Sequence, residues 1–276
     1  MQADRFDVHH SGLEAPFAFS SSDALDTVGI AVRTQGLAAY ESPVSDILIE
    51  LVRTAPGTIL DVGANTGLYT LAAAAAHPAT RVVAFEPLEP VRNLLERNIA
   101  LNPALASRIT VEPVGLSNEN GSFSFYETIN DRGYVSTSSS LETRHVETVG
   151  DEYVERVVTT VTLDSFSDSL GEEHVTFMKI DVEGHEHAVV SGGRHFLARH
   201  RPIFTIEVLG PAETAPIDEF LMDENYFAFA MAPGTLRQND RMAFFPDAWN
   251  HLLVPVERLR QVFALCRKLN LRLELA

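Results

Sequence analysis

The run Thr58-Ile59-Leu60-Asp61-Val62-Gly63-Ala64-Asn65-Thr66-Gly67 constrains this chain more than any other stretch. Ile59, Leu60 and Val62 have the short, apolar, β-branched character of a buried parallel strand, and Leu68 to Ala76 reads as a helix packing back over it. Two glycines stand at the crossing. Gly63 allows a sharp backbone turn where a side chain would clash, and Gly67 lets the helix start close against the strand and against a ligand there. Asp61 is expected at the carboxyl end of the strand, its carboxylate toward that ligand.

That acid restricts the ligand's charge. A pyrophosphate would be repelled by Asp61, whereas an ammonium or another cationic centre would be held. The next expected strand, Arg81 to Phe85, is closed by Glu86, 19 residues after Gly67. At that spacing an acidic side chain accepts hydrogen bonds from both hydroxyls of an adenosine ribose. Together the two acids point to an adenosine that bears an amino acid.

Here the chain resembles the class I S-adenosylmethionine-dependent methyltransferases and, within them, the FkbM-type methyltransferases. The resemblance covers roughly residues 55 to 210. It is carried by Asp61 to Gly67, by Ala84-Phe85-Glu86-Pro87, and by Lys179-Ile180-Asp181-Val182-Glu183-Gly184-His185-Glu186. The third segment is the specific one, since many nucleotide folds share a glycine-rich loop with a downstream acid. Asn65 stands where many methyltransferases carry a glycine, although the FkbM family often has Asn there. The resemblance implies S-adenosyl-L-methionine as cofactor, held by Asp61, Gly63, Asn65, Gly67, Glu86 and Asp181. It also implies a Rossmann-like α/β fold: a mostly parallel seven-stranded sheet with helices on both faces and an antiparallel last strand.

Composition fits one soluble enzyme core with extensions. A chain of 276 residues, 45% hydrophobic, can bury a sizeable core. Residues 1–54 are expected to be an N-terminal extension with a capping helix, and 55–276 the methyltransferase domain. The formal charge of −17 argues against a partner bound through phosphates, so no nucleic acid is expected. Arg194, Arg199 and Arg201 read as a solvated helix end. The lone Cys266 excludes an intramolecular disulfide. Residues 1–30 carry six charges and no continuous apolar stretch, so neither a signal peptide nor a membrane span is expected and a cytoplasmic location follows.

Strand and helix signals alternate from Thr58 to Val208, which predicts parallel strands joined by helical crossovers. Expected strands are Thr58–Val62, Arg81–Glu86, Ile109–Gly115, Val175–Asp181 and Ile203–Val208, with Ser122–Tyr126 and Val157–Thr162 as shorter additions. Tyr226–Ala230 and His251–Val256 would close the sheet as an antiparallel pair, separated by a turn at Pro233-Gly234-Thr235 and a polar loop at Arg237–Arg241. Val44 to Val52 has helical apolar spacing and is expected to cap the cofactor site; Pro255 to Leu269 reads as a terminal helix. The polar excursion Asn130 to Ser140 is a surface loop or a substrate lid. Family members commonly carry a Ser-rich stretch there, which favours the substrate side and brings in Ser138 and Ser139.

The chemical candidates are Asp181, Glu183, His185, Glu186 and Glu207. The resemblance places Asp181 beside the methyl-bearing sulfonium, with Glu207 ending the adjacent strand on the acceptor side. Methyl transfer is an in-line displacement, so the protein mainly aligns the acceptor and takes its proton. Glu183, before a glycine at a strand end, is expected to position the acceptor or accept that proton. His185 is a second candidate base because it titrates near neutral pH, although a histidine there can also be a hydrogen-bonded loop residue. Glu186 reads as the start of the next helix, at its positive dipole end. A metal reading exists for Asp181, Glu183, His185 and His187, which alternate; Gly184 is expected to break that alternation, so no metal is assigned.

The resulting expectation is a methyltransferase acting on a hydroxyl of a sugar, glycan or secondary metabolite. A non-catalytic cofactor-binding module is the alternative. A nicotinamide-dependent oxidoreductase would want Gly-x-Gly-x-x-Gly after the first strand, which this chain lacks.

Overall fold

The computed structural model describes residues 5–21, 26–129, 139–142, 152–210 and 212–276. Strands β1 (Arg5–Val8) and β2 (Phe17–Ser20) form a hairpin ahead of the core. Helices α1 (Thr27–Gln35) and α2 (Val44–Thr54) lead into β3 (Thr58–Val62), and α3 (Leu68–Ala76) returns the chain to β4 (Arg81–Phe85). Helix α4 (Glu89–Ala100) precedes β5 (Ile109–Glu112), a short β6 (Gly115–Leu116), and the long pair β7 (Gly121–Ile129) and β8 (Glu152–Val161). Then come β9 (Val175–Ile180), β10 (Ile203–Glu207), β11 (Tyr226–Ala232), β12 (Thr235–Asn239), β13 (Asn250–Pro255) and β14 (Arg272–Glu274).

The main sheet runs β14-β12-β11-β13-β10-β9-β3-β4-β5. From β11 to β5 it is the expected seven-stranded arrangement, with β13 reversed against both β10 and β11. Two apolar clusters cover its faces. On one, α2, α3 and the terminal helix Leu259–Leu269 pack through Leu48, Ala72, Val262 and Leu265. On the other, short helices contribute Leu163, Val189, Leu197 and Phe220. Helix α3 is buried at every position; the small side chains of Ala72 to Ala76 let its backbone lie close to its neighbours.

Four expectations change. The strand expected at Ile109–Gly115 ends at Glu112, and Gly115 belongs to β6 in a separate sheet. The polar loop expected at Arg237–Arg241 is largely strand β12, paired with β11 and β14, so the sheet has nine strands rather than seven. Gly234, at φ 72°, lets the chain reverse immediately after β11, and polar side chains are tolerated near a sheet edge. The short additions at Ser122 and Val157 are the ends of a nine- and a ten-residue strand. With β6 they form a separate three-stranded sheet. Their outer halves alternate Glu, Thr and Tyr and carried too little apolar signal to be read as strand. Finally, α2 is core rather than cap: its apolar residues are buried beneath the sheet, and residues upstream of it reach the cavity described below.

The N-terminal hairpin is tied to the core by two asparagines of α4 and its C-terminal flank. Asn102 exchanges a pair of hydrogen bonds with the backbone of Ala18, both 2.7 Å. Asn98 accepts from the Ser20 N–H (3.1 Å) and donates to the Thr66 carbonyl (2.8 Å), joining the hairpin to the glycine-rich loop. Asn98→Ala would leave both backbone groups buried without their partner, a cost of about 2–4 kcal/mol. Urea unfolding should show that loss at unchanged m-value; a loss under about 0.5 kcal/mol would mean the hairpin is not held through Asn98.

Candidate active site

A cavity of about 580 Å³ opens where β3, β4, β9 and β10 end, the position at which open α/β sheets bind ligands. Strand order spreads its acids across the floor: Glu86 follows β4, Asp181 and Glu183 follow β9, and Glu207 ends β10. The glycine-rich loop follows β3 between them. Gly63 stands at φ 80°, and a Cβ there would sit 1.9 Å from the Asp181 carbonyl oxygen, so only glycine allows β3 and β9 to end against each other. Gly67, at φ 93°, does not reach the cavity wall; its missing side chain makes room for Leu95 of α4. Asn65 lines the cavity at φ 49°.

Glu86 is buried in the wall. One carboxylate oxygen accepts from the Asn65 N–H (3.0 Å) and the other from the Leu88 N–H (2.9 Å). Each oxygen therefore keeps one further lone pair. Burial pushes this carboxyl up to about 7, against the pull of those two backbone donors.

Asp61 departs from expectation. It is buried beneath the cavity wall and accepts a 2.6 Å hydrogen bond from Thr70 Oγ1 on α3, so it does not face the cavity. Burial raises its carboxyl, and Lys179, its register partner on β9, pulls the other way. Lys179 opens the third motif segment, and its place in the fold gives it a role. A lysine inside an otherwise apolar strand was the available signal. It is buried, its Nζ lies 2.5 Å from Asp181 Oδ2 and 4.6 Å from the centre of the Tyr69 ring, and among the described residues it is the one Lys or Arg that lines the cavity. Burial alone would depress its pKa; Asp181, Glu41 and Asp61 together more than offset that and raise it. Glu41 also had no signal, because it arrives from upstream of α2. It accepts from Tyr69 OH at 2.8 Å, and burial raises its carboxyl.

Asp181, Glu183 and Glu207 present carboxylate oxygens within 4.8 Å of one another. Burial, then the neighbouring acids, raises the pKa of both Glu183 and Glu207 well above the usual carboxylate range. Glu207 Oε2 is buried with no hydrogen-bond partner among the described residues. Glu183 and Gly184 both have positive φ, 55° and 98°, and turn the chain out of β9. Glu186 begins the next helix as expected, and its carboxylate accepts from the Val182 (2.9 Å) and Gly184 (3.2 Å) N–H groups, clasping that turn.

The same turn removes His185 from the acceptor site. Its Nδ1 lies 2.6 Å from Glu142 Oε1 and its Nε2 2.9 Å from Ser117 Oγ, and it lines a second cavity of about 410 Å³ instead of the main one. His185 is therefore not placed to act as the base. The break expected at Gly184 occurs, but it divides the four alternating residues into two groups, each of which gains a member from elsewhere. Ser139 lines the main cavity, its Oγ accepting from the Thr128 N–H at 3.1 Å. Ser138 lies outside the described residues. No helix among the described residues is long and apolar enough to cross a membrane.

A parallel core with one reversed strand and its cavity at the strand ends is the Rossmann-like α/β architecture that the resemblance implied. The profile of the methyltransferase FkbM domain matches residues 61–228, well over half the chain, and the protein belongs to that family. Methyltransferase sdnD of Sordaria araneosa is 28% identical over 215 residues, 70% of this chain and 78% of that protein. The AMB antimetabolite synthetase AmbE of Pseudomonas aeruginosa shares 44% identity over 70 residues, 25% of this chain and 3% of that one. Among solved structures, methyltransferase FkbM from Methylobacillus flagellatus aligns at 17% identity and a TM-score of 0.45, over 72% of this chain and 43% of that chain. This chain thus spans less than half of that solved relative.

A raised carboxyl binds its proton more tightly in the folded chain than in the unfolded one. The stability contributed by protonated Glu86 is complete below about pH 4.5 and is lost as pH rises through about 7. The gap corresponds to roughly 3 kcal/mol. Between pH 4.5 and 8 the parent should lose on the order of that much more stability than Glu86→Gln. Parallel urea-derived profiles for the two proteins would contradict the assignment.

Proposed function

We propose that the protein transfers the methyl group of S-adenosylmethionine to a hydroxyl oxygen of a sugar, glycan or secondary metabolite. The observation that carries this reading is the distribution of charge in the cavity. Among the described residues five carboxyl groups line it, Glu41, Glu86, Asp181, Glu183 and Glu207, against the one ammonium of Lys179. A ligand with cationic centres fits such a wall, and a pyrophosphate does not. Glu86 fits a ribose because each of its oxygens retains an acceptor direction after its backbone contact. The 70-residue likeness to an antimetabolite synthetase favours a secondary metabolite among the acceptors.

When bound, S-adenosylmethionine supplies an electrophilic methyl group. The chain's own residues orient the acceptor and take its proton. Asp181 is engaged by Lys179 at 2.5 Å and serves to position. Burial strengthens Glu183 and Glu207 as bases, and the ionised form of either can accept a proton from a hydroxyl. Glu183 is the proposed base, with Glu207 holding the acceptor beside it.

Two measurements test this. S-adenosylhomocysteine should bind, and since ribose hydroxyls donate to ionised Glu86, its affinity should weaken as pH falls below about 7, approaching tenfold per unit. Glu86→Gln should flatten that dependence. Glu183→Gln should slow a single turnover about 10²–10⁴-fold while leaving S-adenosylhomocysteine affinity within about threefold. A rate within about tenfold of the parent would transfer the base role to Glu207.

A further inference from the structure

The side of the Glu183-Gly184 turn away from the cavity carries a group that methyl transfer does not use. His185, His187 and Glu142 bring one ligand atom each within 4.8 Å of one another. None of the three lines the main cavity. The His185 and His187 rings are 5.6 Å apart and steeply inclined, at 69°. His187 Nδ1 is buried and has no hydrogen-bond partner among the described residues, while its Nε2 lies 3.9 Å from the exposed carboxylate of Glu213.

The hydrogen-bond chain through His185 sharpens the point. His185 Nε2 lies 2.9 Å from Ser117 Oγ, which also reaches Asn118 Oδ1 at 3.2 Å, and its Nδ1 lies 2.6 Å from Glu142 Oε1. A neutral ring satisfies both contacts when Nδ1–H donates to Glu142 and Ser117 donates to Nε2; a ring whose Nε2–H donates to Ser117 instead presents a bare Nδ1 to a cation shared with Glu142. The first arrangement leaves His187 Nδ1 without a partner among the described residues, whereas an ion in the cluster would give the His187 ring a ligand bond.

We propose that Glu142, His185 and His187 bind a divalent ion of the zinc class, with a fourth position open to water. Two imidazoles and one carboxylate are a donor set that suits zinc and its first-row neighbours better than magnesium or calcium. Ser117 then has the role of an outer partner that fixes the His185 tautomer. Tetrahedral ligands about 2 Å from an ion are about 3.3 Å apart, so its entry needs Glu142 and His185 to separate slightly and His187, within 4.8 Å of them, to close in where it stands farther off. The ion would fasten residues 139–142 to the turn after β9, reinforcing the 2.7 Å bond from Ser140 Oγ to the Glu183 carbonyl. The inference goes beyond the proposed transferase reading and does not rest on it.

The full chain, freed of metal by chelation and dialysis, is titrated with cobalt(II) and the visible absorption followed, with zinc added in competition. The expected result is one ion per chain, strong absorption of a four-coordinate nitrogen and oxygen site, and displacement by zinc. His187→Ala and Glu142→Gln, shown folded by circular dichroism, should each weaken binding at least about 100-fold. His195→Ala, at an exposed histidine paired with Asp164, should leave it unchanged. Absence of stoichiometric binding would overturn the proposal and leave a proton between Glu142 and His185. Parent-like affinity in folded His187→Ala and Glu142→Gln would overturn it equally.

Discussion

One buried ammonium makes this site possible. Lys179 sits in the middle of the sheet with Asp181, Glu41 and Asp61 around it, and these acids come from three separate parts of the chain. Burying a carboxylate without a partner costs several kcal/mol, and removing one member of a buried pair costs about 3–5 kcal/mol. Lys179 is held in turn by that surplus of negative charge and by the Tyr69 face. The cavity therefore has a fixed cation at its floor, ringed by buried carboxyl groups whose pKa values burial raises.

The loop after β9 shows how local strain is used. Glu183 holds a left-handed conformation at φ 55°, which costs a residue with a side chain on the order of 1–3 kcal/mol. The clasp from Glu186 to the N–H groups of Val182 and Gly184, and the Ser140 hydroxyl on the Glu183 carbonyl, over-determine the turn. Without it the chain would continue as a strand, and Asp181, Glu183, His185 and His187 would share one face. With it, the two acids meet Glu207 and the two histidines meet Glu142. One four-residue alternation thus serves two surfaces.

Much of this could be read from local pattern. The strand at Thr58–Val62, the helix at Leu68–Ala76 and the glycine at Gly63 are dictated by neighbours within about ten residues, and Glu86 by its place at the end of the next strand; each falls where its pattern says. Gly67 and Asp61 were assigned to the ligand because the pattern locates a residue on the chain but not the layer it faces. Leu95 and Thr70, which claim them, come from helices whose packing no spacing specifies. His185 was misplaced for the same reason: alternation fixes sides only while the strand continues. Strand β12 was missed because its side chains are polar and its pairing depends on the turn at Gly234 and on β14.

The least legible part is the wall built by the N-terminal segment. Val28, Tyr40 and Glu41 line the cavity from residues that precede the glycine-rich loop, and nothing in their local sequence resembles a binding motif. They reach it because the hairpin of β1 and β2 is anchored through Asn98 and Asn102, and Asn98 bonds in turn to the carbonyl of Thr66 within the loop itself. The loop, the hairpin and α4 are therefore one hydrogen-bonded unit, in which a buried polar network fixes geometry as well as adding stability. The segment outside the family match supplies Glu41, one of the acids that sets the charge on Lys179. The electrostatics of the site thus depend on residues that the motif does not contain.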